Sequence, residues 1–191
     1  MTARALRGVL RARLYAQRRA VLYACAAAFV VGLLAPAGLA GPIFFCTLLG
    51  IALAMAQTPG LHPYLDRCEQ SAPLFGRELA RAKALVPCVA AALSVIVYTG
   101  AAFFHAAADA PTFFGVALAA VIASTLVALS ATIRRGSLRA LYIALAGTTS
   151  AIAFALVVEG HSVWGELAFC TIVAFFALRQ YGETLARYDP I

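Results

Sequence analysis

The sequence predicts an all-α, polytopic membrane protein, a single transmembrane domain over residues 1–191 with six spans. Three observations carry that prediction. Hydrophobic residues are 63% of the chain and charged residues 12%, with a mean hydropathy of +0.90. That leaves too little charge to wet the surface of a soluble domain of this length. Six apolar runs recur, at about 20–35, 42–57, 84–104, 111–133, 138–158 and 163–179, against the roughly 20 residues a span needs. Finally, all 15 basic residues fall on one side of a six-span arrangement.

The first element is the arm over residues 1–19. At about 100° per residue, Arg4, Arg7, Arg11 and Arg18 gather within roughly 60° of helix surface, while Leu6, Val9 and Leu10 lie on another side. This predicts an amphipathic helix along the cytoplasmic interface, arginines toward lipid headgroups and leucines toward acyl chains. Arg13 falls on the apolar side, where its long stem is expected to snorkel. The basic stretch from Arg4 to Arg19 is too long for the charged region of a cleavable signal, so the start is expected to be mature protein.

The runs at 20–35 and 42–57 are short and separated by Pro36–Gly41 and Pro42. They are expected to be two full spans rather than a re-entrant pair. The other four runs meet the length of a span. The longest connection lies between the second and third, where Leu65, Leu74, Phe75, Leu79 and Leu85 interleave with Asp66, Arg67, Glu69, Arg77, Glu78, Arg81 and Lys83. Mixed charge of this kind suits a protein surface better than bare lipid. Pro73 to Gly76 is expected to turn the chain, and the residues after it to run into the third span as one helix.

Charge sets the orientation. Arg67, Arg77, Arg81 and Lys83 lie in the second connection, Arg134, Arg135 and Arg139 in the fourth, and Arg179 and Arg187 after the last span. The opposite connections hold only His105, Asp109, Glu159, His161 and Glu166. The positive-inside bias then predicts both termini cytoplasmic, and the expected location is a bacterial-type inner membrane. Topology and anionic lipid account for the net charge of +7, and no nucleic-acid partner is needed.

Reactive chemistry is sparse. There is no H-E-x-x-H and no clustered aspartate. Lys83, the sole lysine, sits in "ARAKAL" and cannot belong to a P-loop. The chain is therefore expected to be no enzyme and to hold no cofactor. The five cysteines form no CxxC pair, and four lie in apolar runs, where Cys acts as a small hydrophobe. His105, Asp109, Glu159, His161 and Glu166 could meet on the far side as a metal or haem site, although solvated loop residues are the weightier reading. Ser124, Thr125, Ser130 and Thr132, with Gly147 to Ser150, are expected to serve close helix packing and interhelical hydrogen bonds.

An acid, then a proline a few residues on, then a polar helix ending in Ala-Lys before the third span, resembles the coupling region of ABC-2-type transporter permeases. Here those elements are Glu69, Pro73, Arg77, Glu78, Ala82 and Lys83. The arm resembles that family's connecting helix, and the layout covers nearly the whole chain. The resemblance implies a homodimer or a pair of related permeases, each docked on a separate ABC ATPase subunit that carries ATP and Mg²⁺. Docking would run through residues 66–83, with Glu69, Arg77, Glu78, Arg81 and Lys83 as polar contacts and Leu74 and Phe75 as apolar anchors. Haem exporters of the same broad class are a minor variant that His105 or His161 would suit. A non-transporting scaffold that recruits a different partner through the same connection is the rival reading. A lipid-modifying enzyme, the third, lacks its catalytic cluster.

Overall fold

A computed structural model describes residues 2–34, 38–61, 69, 76–104, 110–160 and 162–187. Six helices account for them: α1 (Thr2–Leu34), α2 (Ala40–Met55), α3 (Gly76–Ala102), α4 (Ala110–Ala131), α5 (Gly136–Val158) and α6 (Val163–Arg187). All but α2 contain segments long and apolar enough to cross a membrane, and the architecture is that of a membrane-embedded protein. α2, with 16 residues, measures about 24 Å at 1.5 Å per residue, short of the ~30 Å hydrocarbon layer.

The expected break between a basic arm and a first span is absent. α1 runs unbroken for 33 residues because neither Gly nor Pro occurs between Gly8 and Gly32. Arg7, Arg11 and Arg18 are exposed, as the angular pattern predicts, while Val9, Arg13, Gln17, Ala24, Ala28 and Gly32 form one buried stripe. That stripe packs on α3. Its small residues bring the backbones close, and a Cβ built on Gly32 would stand 2.6 Å from the Tyr98 carbonyl oxygen.

The helices alternate in direction, as the core shows. Near one end, Leu39 just before α2 and Ile43 and Cys46 of α2 pack with Val95 and Tyr98 of α3, Val116 to Ala120 of α4, Ala153 of α5 and Cys170 of α6. Near the other, Ala54 of α2 packs with Ala80 and Ala84 of α3, Leu126 to Leu129 of α4, Ala146 of α5 and Ala177 and Tyr181 of α6. α4 is the centre, touching α2, α3, α5 and α6, and is buried on nearly every face from Val116 to Thr132. A helix apolar all round can only occupy such a position or face lipid.

This up-and-down order gathers the described basic residues toward one end of the bundle. There the Arg134 guanidinium lies 4.2 Å from the centre of the Tyr142 ring, and Gln180 Nε2 donates to the Tyr142 hydroxyl at 2.6 Å. These contacts tie the start of α5 to the end of α6. The opposite end carries exposed Phe103, Phe104 and Trp164, the residue types that favour a membrane–water boundary.

Four of the hydroxyl groups expected to bridge helices bond carbonyls of their own segment instead. Thr125 donates to the Val121 carbonyl at 2.7 Å, Thr132 to Leu129 at 2.7 Å, Thr149 to Leu145 at 2.8 Å and Ser150 to Gly147 at 2.8 Å. The free carbonyl lone pair one turn back is always within reach.

Candidate functional site

The basic end of the bundle holds a buried ionic cluster. Arg13 of α1 is 3% exposed, Glu69 of the α2–α3 connection 5% and Lys83 of α3 6%. The Arg13 guanidinium pairs with Glu69 Oε1 through Nε and a terminal nitrogen, and Lys83 Nζ lies 2.9 Å from Glu69 Oε2. One carboxylate thus bridges two cations from two helices. Charges so far from water persist only when paired. Tyr181 of α6 is buried beside the cluster, its hydroxyl in the field of Arg13 and Glu69. Gln17, buried one turn beyond Arg13, continues the polar face. Three helices and the connection therefore meet at this point.

The local reasons are simple. Arg13 faces inward because it follows Val9 by four residues on the stripe that packs on α3. Lys83 lies one turn before Pro87, on the inner face shared with Ala80, Ala84 and Val86. Glu69 is the one described residue of 62–75, and it is held by these two cations.

Of the residues expected to dock a partner, Glu69 and Lys83 point into the protein, where an ion pair satisfies them. Arg81 is exposed and Glu78 half-buried. Leu74, Phe75 and the side chain of Arg77 lie outside the described residues, as do Pro73 and the side chain of Arg4. Arg13, expected to snorkel, is instead internal: an acid from the connection reaches it before solvent does. Lys83 is accordingly expected to resist an amine-acylating reagent in the folded protein and to react on denaturation. Equal labelling in both states, read by intact mass, would contradict its burial.

A second buried acid was misplaced by sequence. Glu166, expected in a solvated connection, lies in the first turn of α6 and is 0% exposed. α6 starts where its apolar run does, capped by Ser162, whose Oγ accepts from the Gly165 N–H at 3.0 Å. Cys170 Sγ donates to Glu166 Oε1 at 3.0 Å. The signal was Glu166 and Cys170 four apart, on one helical face. Glu159 is exposed, while His105, Asp109 and His161 lie outside the described residues. Among the described residues no three His, Cys, Asp or Glu side chains gather to hold a metal.

No protein-family model, curated protein or solved structure matches this chain.

Proposed function

We propose that the chain is the membrane subunit of an ATP-driven, ABC-2-like transporter, working as an exporter and coupled to a separate ATPase through residues 66–83. The observation that supports this reading is the Glu69 clasp. A partner that moves the connection would pull on Arg13 and Lys83 together, and so on α1 and α3 as a unit. Glu69 and Lys83 then transmit the movement, while Leu74, Phe75, Arg77 and Glu78 receive it. α4 fills the centre of the bundle, so a path for cargo would run between two copies or between related permeases. In this reading all six helices cross a bacterial-type inner membrane, α2 with the help of the residues flanking it. Both termini are cytoplasmic, and the outer face of the α1 arm lies against lipid headgroups. ATP and Mg²⁺ sit on the partner, and nucleic acid has no part. The scaffold reading uses the same connection without transport.

The test is extraction in a mild detergent, with mass spectrometry of the proteins that co-purify. An Arg77→Glu/Glu78→Lys variant, which spares the clasp, is prepared in parallel. The expected result is a P-loop ATPase at about equal stoichiometry, lost in the variant. A partner without a P-loop, or none, would sink the transporter reading in favour of the scaffold.

A further inference from the structure

A groove of about 350 Å³ opens between α3 and α6, lined by Ala80, Arg81, Phe175, Leu178, Arg179 and Gly182. We infer that it holds an anionic phospholipid, its phosphate between Arg81 and Arg179 and an acyl chain along the apolar faces behind them. This inference does not rest on the transporter reading.

Each wall of the groove has the same polarity along its length. On α3 the exposed face reads Arg81, Leu85 and Val89, one turn apart each, from the basic end inward. On α6 it reads Arg179, then Phe175 and Ile172. The two helices pack against each other and run in opposite directions, so both arginines lie at the same level and both apolar ladders descend from it. Ala80 and Gly182 are small and buried, which leaves a recess between the two arginines. A cationic head above an apolar wall is the complement of a lipid with an anionic head and an alkyl tail. A soluble anion would have no use for the ladder, and a zwitterionic lipid none for a second arginine.

Arg179 is already engaged on one side, Nε donating to Glu183 Oε1 at 3.0 Å. That contact orients the guanidinium, whose two terminal nitrogens carry four further N–H donors of the geometry that phosphate oxygens accept. Arg81, offered by the sequence as a protein-docking residue, thereby gains a lipid partner in the isolated chain.

Native mass spectrometry of the detergent-purified protein tests this, with phosphatidylglycerol, phosphatidylcholine and inorganic phosphate titrated separately. Phosphatidylglycerol is expected to bind in preference to the other two. The Arg81→Gln/Arg179→Gln double variant is expected to weaken phosphatidylglycerol binding roughly thirtyfold, while Arg187→Gln, at the same end of α6, leaves it unchanged. Both arginines are exposed, and Phe175→Ala gives a second, uncharged probe that should weaken both lipids alike. The inference falls if the double variant binds phosphatidylglycerol as the wild type does. It also falls if phosphatidylcholine binds equally well, if inorganic phosphate displaces the lipid, or if a second copy of the chain fills the groove. Loss of ATPase co-purification would bear on the functional reading alone.

Discussion

Replacing Glu69 with alanine is expected to destabilise the protein by about 3–5 kcal/mol, the scale on which removing one partner from a buried ion pair acts. The reason is asymmetry. Arg13 and Lys83, 3% and 6% exposed, would remain inside with the carboxylate that bridges them removed. Glu69→Gln should recover little, since an amide keeps the shape but supplies no negative charge to the pair. A Glu69→Leu/Arg13→Met/Lys83→Met variant, which removes these three charges at once, should regain much of the loss, because apolar groups of similar volume carry no desolvation cost. Thermal unfolding in detergent separates these cases. If the single alanine variant melts with the wild type, the clasp does not hold the connection.

The second large effect is expected at Gly32. An added methyl would stand 2.6 Å from the Tyr98 carbonyl oxygen, 3.2 Å from Tyr98 Cα and 3.0 Å from Ala101 Cβ. Two of these are backbone atoms, which cannot swing aside, so α1 must lift off α3. Gly32→Ala is expected to cost about 1–3 kcal/mol, as overpacking of a close contact does. Gly100→Ala, in α3, is the control, since a Cβ there meets nothing within 4 Å, and helix propensity alone would favour it by up to about 1 kcal/mol. Equal melting temperatures for the two variants would show that the α1–α3 contact is looser than described.

Much of the fold is legible in the sequence, because apolar runs and helices coincide wherever lipid would be the solvent. α5 begins and ends within two residues of its run. Apolar run and helix differ in extent where helix and lipid part company. α3 starts at Gly76, ahead of its run at 84, as the continuous helix expected after that residue has it, and α6 continues to Arg187, past the end of its run near 179. Hydropathy marks where a helix leaves the hydrocarbon, while the helix itself ends only at a breaker or a cap. The candidate site was half legible. Arg13 stands out in the sequence as a charge on the wrong face of α1. Its partner, 56 residues away, follows no period that would announce it. Glu166 was lost for the opposite reason: the pattern was local and lay inside the run at 163–179, but its charge assigned it to the solvated connection.

The inward-turned hydroxyls have a consequence for how the chain enters a bilayer. Thr125, Thr149 and Thr171 each spend their proton on a carbonyl of their own helix, so these groups need no neighbour at the moment a span meets lipid. For these three groups, entry into lipid and side-by-side association can be separate stages, the second driven by shape. The Glu69 clasp is different in kind. It closes only once α3 has been synthesised and inserted beside α1, which makes Lys83 the earliest point at which the nascent chain can lock its first half.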